Sequence, residues 1–194
     1  MAVDATNVLV GAPDQAVTGA ILSAELGTEI PTAPRDTPDP AFTGSGYVSE
    51  DGLSLTPDTS TVDVRDWSGA MVRRILEEFT GTLAWAHLET SEGALRNYFG
   101  DDNVTIDAAN EEHGNIIRAT MGSYELPRKA WLFRMRDRGA RMLIAVPDGQ
   151  ITSRNEVTFT RSGAITWPVE LTAYEDENGH SIYFYLDDGQ VIAG

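Results

Sequence analysis

The hydrophobic positions of this chain come in short runs separated by Gly, Pro, Asn and Asp, a pattern typical of β-structure. Near the N-terminus, Val8–Val10 and Ala20–Leu22 predict two strands joined by a loop. Alternation of apolar and polar residues then predicts a strand around Leu53 and Leu55 and another over Thr61–Trp67.

The segment Ala70–Phe79 carries two conflicting patterns. Its apolar residues recur at helical spacing, which favours an amphipathic helix. However, Val72 and Ile75 are good strand formers, and the segment has no helix-capping residues. We therefore predict a strand, which runs towards a second alternating stretch at Thr82–Leu88.

A short helix is predicted at Ser91–Phe99. Ser91 can cap its N-terminus, Glu92 suits the positive end of the helix dipole, and Gly100 can terminate the helix. Because Gly93 weakens the helix, we expect its apolar side chains to be supported by packing on a sheet.

The C-terminal half continues in strand fashion. Over Trp131–Arg136, Trp131, Phe133 and Met135 are predicted to face the core and the arginines the opposite side. A turn at Asp137–Gly139 then predicts a hairpin with a strand over Met142–Val146.

Four further features are predicted beyond this hairpin. Pro147–Gly149 indicates a turn, and Val157–Phe159 a strand. The apolar alternation of Val169–Ala173 and Ile182–Leu186 predicts two strands, paired as a hairpin through Asn178-Gly179.

These patterns amount to about ten short strands and one helix. They predict a mainly β fold, a β-sandwich or partly closed barrel with one short flanking α-helix. Four prolines within Ile30–Pro40 indicate an extended Pro-rich arm or loop at about residues 30–45, which is either flexible or ordered against an adjacent subunit. The length of 194 residues fits a single domain, residues 1–194, that includes this arm.

Charge and composition narrow the function. The formal net charge of −16 disfavours specific nucleic-acid binding, because such binding depends on Lys and Arg. The chain has no cysteine, so no disulfide or thiolate metal site is expected. The N-terminus lacks the basic flank and long apolar run of a signal peptide, and no run is long enough to span a membrane. We expect a soluble protein made in a cytoplasm.

The charges are unevenly placed. Residues 1–60 carry nine acids against the single base Arg35, whereas residues 128–141 are rich in bases. This basic cluster is the candidate subunit interface and comprises Arg128, Lys129, Arg134, Arg136, Arg138 and Arg141. One interpretation is a solvated face that protects a strand edge; the other is docking onto the acidic residues 1–60 of a neighbouring copy.

Candidate catalytic and metal-binding residues are weak. The three histidines, His87, His113 and His180, lack the spacing of metal ligands. Asp176–Gly179 resembles part of a calcium loop, but Tyr174 and Tyr185 occupy positions that calcium ligands require. Adjacent carboxylates are expected by chance among 30 acids, and no nucleophile elbow is present. We predict no catalytic, cofactor or metal site, hence no enzyme.

The stretch Gly44–Gly100 resembles the tail tube (major tail) proteins of long-tailed, non-contractile bacteriophages. In that family a corner such as Trp67-Ser68-Gly69 leads into a long segment that ends on a tripeptide such as Leu88-Glu89-Thr90, and a short helix follows. Residues Ile165–Tyr174 also resemble the family, whereas the Arg-rich 128–141 stretch matches no motif of it.

The resemblance implies a structural virion subunit. Six copies would form a ring, and the rings would stack around a tape-measure protein into a tube that also contacts tail terminator and tail-tip proteins. Genomic DNA would pass through without specific binding. The subunit would reside in the virion tail, after assembly in the host cytoplasm. Two alternatives are a carbohydrate- or receptor-binding β-sandwich module of a virion and an unrecognised hydrolase.

Overall fold

The computed structural model describes residues 8–14 and 19–190. Within these residues the chain forms ten strands, one α-helix and one 3-10 turn. In chain order these are β1 (Ile21–Glu25), β2 (Thr43–Gly44), β3 (Val48–Arg65), β4 (Met71–His87), α1 (Glu92–Phe99), the 3-10 turn (Asp101–Asn103), β5 (Val104–Asp107), β6 (Ile116–Ala119), β7 (Arg128–Asp137), β8 (Ala140–Arg154), β9 (Trp167–Ala173) and β10 (Tyr183–Asp187). The prediction of a mainly β fold with one short helix is confirmed.

Eight of the strands form one antiparallel sheet. Its order is β2–β1–β7–β8–β9–β4–β3, and β10 also pairs with β8. The 15-residue β8 is long enough for two partners on one edge, since β10 pairs along Arg141–Ala145 and β9 along Gly149–Arg154. The described sheet ends at β2 and β3 and does not close into a barrel, while β5 and β6 form a separate two-stranded sheet.

The sheet is strongly curled around the main core. The ring of Trp85 on β4 lies 5.5 Å from that of Trp131 and 5.3 Å from that of Phe133, both on β7. Two strands separate β4 from β7 in the hydrogen-bonding order, so this contact requires the sheet to fold back on itself. Helix α1 covers the core with Leu95 and Tyr98, as its sequence predicted.

A second, smaller core lies on the other face of the sheet. Leu22, Leu132 and Leu143 are buried there beneath Phe42, a residue of the Pro-rich arm. Arg35 ties this arm to its own subunit, since its guanidinium pairs with the Asp187 carboxylate and donates a hydrogen bond to the Gly139 carbonyl oxygen. The arm is thus folded onto the chain that carries it.

Helix α1 has the caps that its sequence predicted. The Ser91 hydroxyl accepts a hydrogen bond from the Ala94 amide at 3.4 Å, and the Gly100 amide donates to the Arg96 carbonyl oxygen at 2.8 Å. Gly100 has a φ of +93°, a backbone conformation that favours glycine. Glu92 and Arg96 form an ion pair one turn apart.

The strand prediction for Ala70–Phe79 is confirmed, because these residues belong to β4 from Met71 onwards. They pair in an antiparallel ladder with β3, from Arg65↔Met71 at the tip to Thr59↔Phe79. Helical spacing places apolar side chains on a single helix face, and the same residues in a strand appear on both faces. In this chain, backbone pairing with the β-branched stretch of β3 outweighs the helical spacing of the apolar residues.

The predictions for Val8–Val10 and Pro147–Gly149 are wrong. Val8–Val10 forms no strand, although the following Pro13 makes an isolated bridge with Met135 of β7. Pro147–Gly149 is not a turn but the middle of β8. A Cβ atom on Gly149 would lie 3.0 Å from the indole of Trp131, so this glycine allows close packing across the strands.

Two predictions near the C-terminus also fail. Val157–Phe159 forms no strand, and Phe159 is exposed. Asn178-Gly179 does form a turn, closed by the Gly179 amide and the Asp176 carbonyl oxygen at 3.0 Å, but it does not join a hairpin. The strand that follows, β10, pairs with β8 because the edge of β8 beyond β9 is unoccupied by any other described strand.

Replacing Trp131 with Ala tests the assignment of the main core. Its side chain is 1% exposed and its indole N–H donates to the Gly149 carbonyl oxygen. We expect the free energy of unfolding to fall by about 3–5 kcal/mol in urea titrations. The matched control Trp67→Ala, at an exposed position, should change it by about 0.5 kcal/mol or less. Equal effects of the two changes would contradict this core.

Candidate interaction surfaces

The hairpin formed by β3 and β4 extends beyond the sheet that anchors it. β9 pairs with β4 over Gly81–His87, and in the described structure β4 pairs beyond this point with β3 alone. We call residues 58–80 the projecting hairpin. From Asp58 to its tip it reaches roughly 30 Å, at about 3.3 Å per residue.

The projecting hairpin exposes apolar side chains on both faces. Val62 lies opposite Ile75 on one face, and Leu76 and Phe79 lie on the other. Its large apolar residues other than the tip are 41–68% exposed, and comprise Val62, Val64, Met71, Val72, Ile75, Leu76 and Phe79. In the same strand, residues 81–87 alternate regularly between buried and half-buried. The change at Thr80 marks where the chain's own core ends.

The tip of the hairpin is a tightly bonded turn. The Asp66 carboxylate accepts hydrogen bonds from the Ser68 hydroxyl at 2.7 Å and the Ala70 amide at 2.9 Å, which lowers the pKa of Asp66. Arg65 donates to the Gly69 carbonyl oxygen at 3.1 Å. Trp67, held by this turn, is fully exposed.

The basic cluster divides into two sets. Arg128 pairs with Asp148, Lys129 with Asp101 at 2.8 Å, and Arg141 with Asp14 at 3.1 Å. These three bases therefore neutralise acids of their own chain.

The other three members, Arg134, Arg136 and Arg138, have no carboxylate partner among residues 8–14 and 19–190. They lie along β7 and at the turn into β8, where Arg136 and Arg138 are exposed and Arg134 is half-buried. Arg138 has a φ of +53° because it occupies the tight turn of the hairpin. This uncompensated positive set is a candidate surface for an acidic partner.

The histidines lie in three different environments. His87 is buried in the core, where its Nε2 accepts a hydrogen bond from the Trp85 indole N–H at 3.1 Å. Burial lowers the pKa of His87 to about 3, so the ring is neutral at physiological pH. The side chain of His113 is hydrogen-bonded to that of Asn110, and the exposed ring of His180 lies edge-on to the ring of Tyr183. In the described part of the chain no cluster of His, Cys, Asp and Glu is arranged to hold a metal.

The Asp176–Gly179 turn is explained by its internal hydrogen bonds. The Asp176 carboxylate accepts from the Tyr183 hydroxyl at 2.7 Å and from the amides of Asn178 and His180. These bonds lower the pKa of Asp176 to about 2. Its oxygens therefore organise the turn itself.

Among the described residues, no helix has the length and apolar character needed to cross a membrane.

A family model for phage tail tube proteins matches residues 1–193 of the chain. The chain belongs to this family. It is thus a structural component of a phage tail, and the predicted resemblance to tail tube proteins is confirmed. No curated protein sequence matches it.

Three solved structures align with most of this chain at TM-scores below 0.5. The cap that terminates the tube of the anti-feeding prophage aligns with a TM-score of 0.43 at 8% identity, covering 93% of this chain and 95% of that one. The tail of an empty GTA particle aligns at 0.43 with 12% identity, covering 85% and 94%. A chain of the native gene transfer agent virion aligns at 0.40 with 14% identity, covering 75% and 90%. These likenesses are weak, and the family assignment rests on the family model.

The neutral state of His87 makes the stability of this tail tube protein dependent on pH. Its folded pKa of about 3 lies below the unfolded value, so the unfolded chain takes up a proton first as the pH falls below about 6.5. Stability contributed by the neutral ring is complete above that pH and is lost towards pH 3. We expect the free energy of unfolding to fall by up to about 1.4 kcal/mol for each pH unit below about 6.5.

Urea titrations between pH 7 and pH 4.5 measure this slope. His87→Gln, which keeps an acceptor for the Trp85 N–H, should flatten it, whereas His180→Gln at an exposed site should not. An unchanged slope in His87→Gln would show that other groups cause the acid sensitivity.

Proposed function

We propose that this tail tube protein assembles with copies of itself into stacked hexameric rings, which form the conduit for genomic DNA into the host cell. The observation that carries the proposal is the projecting hairpin, whose apolar side chains are exposed on both faces. A monomer has no described segment to cover them, whereas a neighbouring copy in a tube could do so.

Energetics favour a partner for this hairpin. A two-stranded hairpin without a core beneath it is marginally stable in water. Complete burial of one aliphatic side chain is worth about 1.5–3 kcal/mol. If a partner covered half of the exposed apolar side chains of the hairpin, this gain would offset part of the free-energy cost of association. Exposed apolar surface of this extent is typical of interaction sites.

The strand edges support the same proposal. β3 is the last strand of the described sheet, so its outer edge offers unpaired backbone amides and carbonyls over a strand of 18 residues. Such an edge is a hazard in a monomer and a pairing site in an assembly. In a ring of copies, the free edge of each copy would pair with its neighbour, and the ring would enclose a channel.

The acidic composition suits a conduit for DNA. The net charge of −16 repels phosphates, so DNA would pass along such a tube without adsorbing to it. During tail assembly in the host cytoplasm, the tube would form around a tape-measure protein and end on terminator and tail-tip proteins. This role is structural and requires no enzymatic site.

Negative-stain electron microscopy across a concentration and salt series tests the proposal. Rings or hollow tubes of uniform diameter are the expected result. Monomers that persist at high concentration and after addition of tail-tip components would overturn it, and a glycan screen would then test the carbohydrate-binding alternative.

The free bases of the basic cluster provide a sharper test. We propose that Arg134, Arg136 and Arg138 contact acidic residues of the next subunit. Changing all three to Glu should abolish tubes, because attraction becomes repulsion at every repeat of the contact. Electron microscopy and sedimentation measure the loss.

The matched control changes the same three residues to Lys, which keeps the charge and should retain tubes. Both variants must unfold cooperatively in urea, so that misfolding is excluded. Tubes from the Glu variant would contradict a role for these arginines in assembly.

A further inference from the structure

We propose that Trp67, at the tip of one copy's projecting hairpin, inserts into an apolar groove at the base of the hairpin of a second copy. This inference rests on the proposed self-assembly and names the contact that would mediate it. The groove encloses about 450 Å³ between the N-terminal segment, β3 and β7. Its apolar lining includes Val10, Pro13, Val48, Leu53, Phe133 and Met135.

Trp67 has the properties of an anchor residue. It is 105% exposed, whereas the other three tryptophans of the chain are at most 8% exposed. The turn around the Asp66 carboxylate fixes the backbone on either side of Trp67, so little backbone entropy is lost when it docks. Tryptophans that fill a partner's pocket are typical centres of binding energy.

The groove offers chemistry that matches an indole. Its wall is largely apolar, and Ser49 is among the lining residues; the Ser49 hydroxyl is buried and has no hydrogen-bond partner in the described structure. Rotation of this hydroxyl towards the groove would supply the acceptor that a buried indole N–H needs. Arg134 also lines the groove and can lie over the ring as a cation–π partner.

The charges beside the two surfaces are complementary. Arg73 lies on the hairpin close to the tip, and Glu50 and Asp51 are exposed beside the groove. None of the three has an ion-pair partner in the described part of the chain. Docking would bring opposite charges together.

Trp67 cannot reach the groove of its own chain. Leu53 of β3 lines the groove, and Trp67 lies in the turn that follows the far end of the same strand. At roughly 3.3 Å per residue, the two residues are about 45 Å apart. Each tip must therefore enter the groove of another copy. Such a contact joins two different surfaces, so it repeats from copy to copy and builds a ring or an open stack.

Cross-linking tests the contact, because the chain has no cysteine of its own. A variant with Arg73→Cys and Glu50→Cys keeps Trp67 and changes two exposed residues. Treated with a short bis-maleimide under assembly conditions, it should give a ladder of covalent oligomers on a denaturing gel. Either single variant should give dimers at most, and adding Trp67→Ala should reduce the ladder at least tenfold.

Tryptophan fluorescence gives a second measurement on the unlabelled chain. Emission should shift to the blue on assembly of the wild type, since Trp67 is the exposed tryptophan. Trp67→Ala should show no shift and form no tubes.

The outcomes separate the two proposals. Tubes of Trp67→Ala, or tubes of the double-cysteine variant that yield no ladder, would overturn the docking of Trp67 and leave self-assembly intact. An absence of tubes from the wild type would overturn the proposed function and this inference with it.

Discussion

The strands β3 and β4 are longer than the sheet that supports them, and this mismatch governs the rest of the molecule. From Gly81 to His87, β4 is held between β3 and β9, and its inward side chains complete the aromatic core with Trp85 and His87. On the tip side of Gly81 the two strands continue as a pair with apolar residues on both faces. These exposed faces are the surfaces that the proposed assembly would cover.

The polar interactions fit this division between a self-contained body and an open hairpin. The Pro-rich arm is fastened to its own subunit through Arg35, and Arg128, Lys129 and Arg141 are paired within the chain. The remaining bases of β7 are left without acidic partners in the described residues. Charged groups of this kind add little stability to a monomer but direct the choice and orientation of a partner.

Local patterns in the sequence predicted the elements better than their pairing. The caps of α1 and the hairpin of β7 with β8 follow from short-range chemistry, and both are confirmed. The turn predicted at Pro147–Gly149 failed because Gly149 serves packing under Trp131, a contact between strands that periodicity does not encode. The basic cluster was visible in the sequence, but its division into paired and free members depends on the tertiary positions of Asp14, Asp101 and Asp148. Likewise, the exposure of Trp67 follows from the length of the hairpin relative to the sheet.

Hydrogen–deuterium exchange on the protein before and after assembly tests most directly whether the hairpin is completed by another copy. Amides of residues 58–80 should exchange rapidly in the monomer, since this region has no core beneath it, and those of Gly81–His87 slowly. On assembly, the projecting hairpin should become as protected as the core strands. Rapid exchange of residues 58–80 in assembled tubes would contradict the account, because their apolar side chains would then remain uncovered.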